Sequence, residues 1–246
     1  MEDPWELSGA RATLDWDFAV RVESWSAWDV LRERLTSGSS AAFRITNQAH
    51  RLRHTSGRPI DLVPFGAIES SPGRITWPDG TEMSVHAFGE CSARLQHVEI
   101  TPGVVLDSAS VPSLAVLKLF AYLDRRTRGE TKDIQDLDWL LRHYECAGNE
   151  DRVHAELLDV LIDGVIEAEH AGALLLGRDA ASIHSQVTLE SLHAVLREAL
   201  DPYSRVVQDI LRAGASTEDR RRLAEAQRIV RRFAAFALGL GARTVD

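Results

Sequence analysis

Thr13-Leu14-Asp15-Trp16-Asp17-Phe18-Ala19-Val20 sets two carboxylates two residues apart inside an otherwise apolar run. In a strand, successive side chains alternate between faces, so Asp15 and Asp17 share one face while Leu14, Trp16, Phe18 and Val20 line the other. One face packs and the other carries charge. A rise of about 3.3 Å per residue puts the carboxylates roughly 6–7 Å apart, where they repel by about 2–3 kcal/mol at an effective dielectric of about 20. Either the pair sits on the wet edge of a sheet, or a divalent cation turns its repulsion into attraction.

A third acid is set in the same way. Asp61 lies in Arg58-Pro59-Ile60-Asp61-Leu62-Val63-Pro64-Phe65, with Ile60 and Leu62 on the opposite face and Pro64 and Gly66 closing the strand. Alone it reads as a polar residue on a solvated face. With Asp15 and Asp17 it completes a three-carboxylate set able to hold one or two Mg²⁺ ions for phosphoryl or nucleotidyl transfer.

The chain around these acids is built of short strands up to about residue 106. Residues 41–46 and 49–54 read as strands, and 74–77 and 81–85 flank Pro78-Asp79-Gly80, whose turn chemistry predicts a hairpin. Residues 96–100 alternate again before Thr101-Pro102-Gly103, and a short helix over 27–35 carries Trp28, Leu31 and Leu35. From about residue 110 the period becomes helical. Val111, Leu114, Leu117, Ala121 and Leu123 predict the buried stripe of a helix that starts near Val111-Pro112. Thr131 is the expected N-cap of a helix running through Ile134, Leu137, Leu140, Leu141 and Tyr144. Further helices are predicted over about 151–171, 188–199, 202–213, opening on Asp201-Pro202, and 218–238. The expected fold class is α+β, with a small mixed β-sheet core over 1–108 and a helical half over 109–246.

Two elements of the helical half carry chemistry. Lys118, Tyr122 and Arg125 fall on one helical face. Lys118, set among Leu117, Leu119 and Phe120, either snorkels to water or presents a point charge to triphosphate oxygens, with Arg125 or Arg126 as a bidentate clamp. Asp133 and Asp136 open the next helix. They either complement its dipole or fix the basic side chains of that clamp, with Arg125, Arg126 and Arg128 nearby in sequence.

Composition narrows the alternatives. The chain has 246 residues, 44% hydrophobic and 26% charged, enough for a sizeable core. Its net charge of −9 argues against a protein that coats nucleic acid, while leaving room for a local basic patch. Without an 18-residue apolar run or a basic-plus-apolar leader, a cytoplasmic protein with no membrane span is expected. Cys91 and Cys146 stand apart and read as buried free thiols. The 9 histidines are scattered with no H-x-x-x-H pair and read as ordinary surface or core residues. No G-x-S-x-G or Walker loop supports acyl transfer or P-loop chemistry. The arginines of Glu218-Asp219-Arg220-Arg221-Arg222, with Arg228, Arg231 and Arg232, read as a solvated helix face, RNA contact being the other reading.

Taken in order, Thr13-x-Asp15-x-Asp17, Ile60-Asp61-Leu62-Val63-Pro64-Phe65-Gly66, Leu117-Lys118-Leu119-Phe120-Ala121 with Asp124-Arg125, and Lys132-Asp133-x-x-Asp136-Leu137 resemble the motifs of the AbiEii-like nucleotidyltransferases, toxins of type IV toxin–antitoxin and phage-defence systems. The resemblance covers roughly residues 9–145, and Gly172 to Asp179 also resembles the family's helical half. It implies a polymerase-β-type core with Asp15, Asp17 and Asp61 as ligands of Mg²⁺ or Mn²⁺. Thr13, Lys118 and Arg125 would meet the NTP substrate, and Asp133 and Asp136 would be the later motif's acids. The implied reaction transfers a nucleoside monophosphate to an acceptor such as an RNA or tRNA 3′ end, under restraint by a separately encoded antitoxin. The family carries a Gly-Ser or Gly-Gly motif ahead of the D-x-D strand; Met1 to Gly9 does not supply it, so the core reads as N-terminally short. The other reading is therefore a catalytically inactive nucleotide- or partner-binding module with the same fold.

Overall fold

β1 (Trp16–Val22) turns Phe18, Val20 and Val22 toward an apolar core and Asp17, Ala19 and Arg21 the other way, the alternation the sequence predicts. The structure is a computed structural model and describes residues 16–39, 41–71, 73–212 and 219–242, so Thr13 and Asp15 lie outside the described residues. α1 (Trp25–Thr36) follows, and its N-cap Ser24 accepts a hydrogen bond from the Ala27 amide at 3.1 Å. β2 (Phe43–Ile45), β3 (Arg51–His54) and β4 (Pro59–Gly66) complete a four-stranded sheet of order β1-β4-β3-β2. β1 and β4 run parallel, while β4, β3 and β2 are antiparallel in turn.

β4 runs through Pro64 instead of closing there. Its ladder with β3 pairs Pro59, Ile60 and Asp61, so β3 has already left the sheet at Pro64, which pairs with Val20 of β1 alone. A proline that lacks an N–H is tolerated where one edge of its strand needs no donor. β5 (Arg74–Thr76) and β6 (Glu82–Ser84) form the predicted hairpin. Its turn is closed by the Thr81 amide donating to Asp79 Oδ1 at 2.9 Å, with Gly80 at φ +85°. Trp28, Leu52, Leu62, Ile75 and Trp77 fill the core. The Trp25 and Trp28 rings pack on Trp77 with centroids 5.6 and 6.0 Å away.

The described residues fall into two compact units, the sheet unit ending at Gly89 and a second starting at Glu90. The boundary lies within α2 (Phe88–Ser92). The second unit opens with a hairpin, β7 (Leu95–Thr101) and β8 (Val104–Ala109), the latter a strand that the sequence pattern did not single out. Helices α3 (Val111–Arg125), α4 (Lys132–His143), α5 (Glu150–Ile162), α6 (Ala171–Ile183), α7 (Gln186–Ser191), α8 (His193–Glu198), α9 (Arg205–Leu211) and α10 (Asp219–Gly239) follow, so the fold class is α+β as expected.

Several helix expectations are corrected. α3 buries Ala115, Val116, Leu119, Phe120 and Tyr122, whereas Val111, Leu114, Leu117, Ala121 and Leu123 are only half-buried. This helix is apolar nearly all round, so periodicity alone does not pick the face that meets α4 and α6. Thr131 holds the cap position of α4, yet its hydroxyl accepts from Gln135 Nε2 at 2.9 Å and caps no backbone amide. The segment predicted as one helix over 151–171 stops at Ile162, with Gly164 just beyond at φ +67°, a left-handed stop that glycine adopts freely. The 188–199 segment is split into α7 and α8, and α9 starts after Ser204, whose Oγ accepts from the Val207 amide at 3.3 Å. Asp201 instead closes a turn by accepting from the Tyr203 amide at 2.9 Å.

α6 and α10 cross at glycines. A Cβ on Gly177 would lie 2.3 Å from the Phe236 carbonyl oxygen, and one on Gly239 would lie 2.3 Å from the Leu174 carbonyl oxygen. Backbones therefore meet directly, and Leu174, Leu175, Phe233 and Phe236 bury themselves around the crossing. Of the two free thiols Cys91 is buried as expected, but Cys146 is exposed. It follows Tyr144 and Glu145 beyond the end of α4, where the buried stripe of that helix has run out.

Candidate functional site

The strand register brings two of the predicted acids together. Asp17 and Asp61 are direct partners in the parallel β1–β4 ladder, so their side chains leave the same face of the sheet from adjacent strands about 4.8 Å apart. Arg51 of β3 is the partner of Asp61 on its other side, giving a lateral row Arg51, Asp61, Asp17 across three strands. The guanidinium grips Asp61 as a fork, Nε to Oδ1 at 2.6 Å and Nη2 to Oδ2 at 2.7 Å. His50 Nε2 stands 4.0 Å from Asp61 Oδ2. Arg53, two residues beyond Arg51, and its ladder partner Arg44 extend positive charge along the same face. Toward the end of β4 the face turns apolar, where Val63 and Phe65 join the core and the Arg21 guanidinium lies 5.0 Å over the Phe65 ring.

The chemistry of this row suits a hard cation. Carboxylate oxygens are its preferred donors, and each ionised oxygen keeps a second lone pair, so the fork on Asp61 leaves acceptor capacity. Asp61 is nearly buried, at 13% exposure, while Asp17 is open to solvent. Arg51 was not among the predicted site residues. The signal was present in Arg51-Leu52-Arg53, whose alternation around a core leucine puts both arginines on the charged face.

In the helical unit, α3 and α4 bring Lys118, Arg125, Asp133 and Asp136 into one ion-pair cluster. Lys118 Nζ donates to Asp133 Oδ1 at 3.0 Å and to Asp136 Oδ2 at 2.9 Å, and Arg125 Nη1 donates to Asp133 Oδ2 at 3.1 Å. Burial works against the ammonium charge, but the two carboxylates outweigh it and hold Lys118 above the ordinary lysine range. Asp133 is 4% exposed, which its two cations make tolerable. Neither Arg126 nor Arg128 joins this cluster. Arg126 pairs with Glu198 at 2.7 Å and Arg128 with Glu130 at 3.0 Å. Tyr122, predicted on the Lys118 face, is buried and donates to Asp209 Oδ2 at 2.9 Å.

The arginine-rich helix is α10. Arg232 is buried in an ion pair with Asp138, which also holds Arg142 at 3.1 Å, while Arg228 pairs with Glu225 at 3.6 Å. Among the described residues, no helix is long and apolar enough to cross a membrane. An open cavity of about 370 Å³ beside Tyr144 and Asp179 includes none of the Lys118 cluster in its lining.

Comparison with protein families matches residues 7–202 to the family described as nucleotidyl transferase AbiEii toxin, type IV TA system. No match was found among curated proteins or solved structures. The matched span takes in the strand acids, the Lys118 helix and the Asp133/Asp136 helix in their order along the chain. The chain thus belongs to the AbiEii nucleotidyltransferase toxin family of type IV toxin–antitoxin systems.

Proposed function

We propose that this chain is an Mg²⁺- or Mn²⁺-dependent enzyme that transfers a nucleoside monophosphate from an NTP to an RNA acceptor, a tRNA 3′ end being the favoured class. The observation that carries the reading is the register pairing of Asp17 with Asp61 on one sheet face. Asp15 is assigned beside them by its place two residues before Asp17 in the strand pattern. A divalent ion held by these carboxylates supplies positive charge against phosphate oxygens. The acceptor hydroxyl oxygen bonds the α-phosphorus, the bond from that phosphorus to the pyrophosphate oxygen breaks, and pyrophosphate leaves. The hydroxyl proton passes to a carboxylate of the acid row.

Lys118 is the point charge for the triphosphate and Arg125 a fork for its oxygens, with Asp133 holding both cations in place until substrate competes for them. Thr13 is assigned to the nucleotide. A separately encoded antitoxin restrains the activity. The test is incubation of the protein with labelled NTPs, Mg²⁺ and total tRNA beside an Asp15→Ala/Asp17→Ala variant. Label on tRNA from the wild type alone is expected. No label from the wild type beyond that of the variant, across all four NTPs and several acceptors, overturns the reading and leaves the inactive binding module.

A further inference from the structure

After α5 ends at Ile162, the chain turns through a single 3₁₀ turn over Ala168–His170 and enters α6. The His170 amide donates to the Glu167 carbonyl at 2.9 Å, and in such a turn side chains three residues apart come onto the same side. The Glu167, Glu169 and His170 side chains converge, each offering one ligand atom within 4.8 Å of the others. His170 is 3% exposed, yet neither ring nitrogen makes a hydrogen bond. A buried imidazole left so is costly, and the usual remedies are a partner or a metal.

The geometry favours a metal. Nε2 of His170 lies 3.3 Å from Glu169 Oε1 without forming a hydrogen bond. Two ligands bonded to one tetrahedral ion at about 2.0–2.2 Å stand about 3.3–3.5 Å apart. The opposing charges come from α10. Arg231 Nε is 3.5 Å from Glu167 Oε1, and Arg232, paired to Asp138, also acts on His170. Glu167 and Glu169 are 59% and 54% exposed, so their carboxylates can swing onto an ion and water can reach it.

We propose that Glu167, Glu169 and His170 bind one zinc-class divalent cation, tetrahedral, with solvent in the fourth position. Imidazole with two carboxylates suits Zn²⁺, whereas Mg²⁺ takes six oxygens, so this ion is separate from the one assigned to the strand acids. It pins the turn between α5 and α6.

The chelator-stripped full chain is titrated with Zn²⁺ by calorimetry and with Co²⁺ by visible absorption. One saturable site per chain and the intense bands of tetrahedral Co²⁺ are expected. Affinity falls at least tenfold in Glu169→Gln and is lost in Glu167→Gln/Glu169→Gln, whose exposed positions leave the fold intact by circular dichroism. Arg231→Gln raises affinity severalfold, and Asp17→Asn leaves it unchanged. No saturable uptake, weak octahedral Co²⁺ bands, or uptake unaltered in the double glutamine variant overturns the proposal.

Discussion

The strand acids and the Lys118 cluster hold their charges by opposite means. In the sheet, Arg51, Asp61 and Asp17 stand side by side because backbone register places them there, and two neighbours have the same sign. In the helical unit, Asp133 accepts from two cations while Lys118 donates to two acids, so the charges largely answer one another. A row fixed by the ladder holds two carboxylates side by side whatever their charges prefer, because the backbone and not the ion pairs sets their spacing. A self-satisfied cluster binds a ligand only by exchanging bonds it already has. Removing an acid should therefore cost activity in the first region and stability in the second.

The strongest way to break that comparison is Asp17→Asn or Asp61→Asn, expected to lower nucleotidyl transfer by about 10³-fold or more. For Asp17→Asn the midpoint of urea unfolding should shift by less than about 1 kcal/mol in stability. Asp133→Ala should do the reverse. It strips a shared partner from Lys118 and Arg125 and should cost about 3 kcal/mol by urea unfolding. Lys118→Met should cost less, about 1 kcal/mol, because Arg125 still pairs with Asp133. If Asp17→Asn destabilised the fold more than Asp133→Ala, the contrast would fail.

Acid pH sharpens it further. Burial opposes the charge on Asp179, but Arg152 at 2.8 Å and the Tyr144 hydroxyl at 2.5 Å outweigh that and hold its carboxyl below the ordinary range. Burial likewise opposes the charge on Glu90, and Ser185, His184 and Thr188 outweigh it. Both groups bind protons less tightly folded than unfolded. Their stabilisation is therefore present above an unfolded carboxylate pKa of about 4 and is lost as pH falls through the lower folded values. Melting temperature should drop steeply there, and Asp179→Asn should flatten the slope. The smallest effect concerns thiols: a thiol reagent should label exposed Cys146 within minutes. Cys91, whose thiol burial pushes up to about 11, should react only on unfolding.

What sequence could reveal follows the range of the interactions. Alternation in 16–22 and 59–66 identified both acid-bearing strands, because period two is a local property. That Asp17 meets Asp61 is a matter of register between strands far apart in sequence, which no local pattern encodes. The same limit hid the fork from Arg51. In α3 the failure was of another kind: too many apolar positions left the buried face undetermined until α4 and α6 chose it. Lys118, Arg125, Asp133 and Asp136 were legible as a group because α3 and α4 are joined by a short turn. The Glu167–His170 turn was missed because a single histidine in a polar stretch has no periodic signal.

The glycine crossing of α6 and α10 bears on how the chain is born. α6 leaves the ribosome long before α10, yet its Gly177 face is shaped for a backbone that has not been made. Until residue 239 emerges, α6 can lie against α3, α4 and α5 but lacks α10, the helix it meets most extensively. A nascent chain halted between residues 184 and 218 should be cut quickly by protease within 171–183, and a chain that includes α10 slowly. The helical layer around α4, which carries Asp133, and around α6 thus gains the support of α10 only after residues 219–239 have been made.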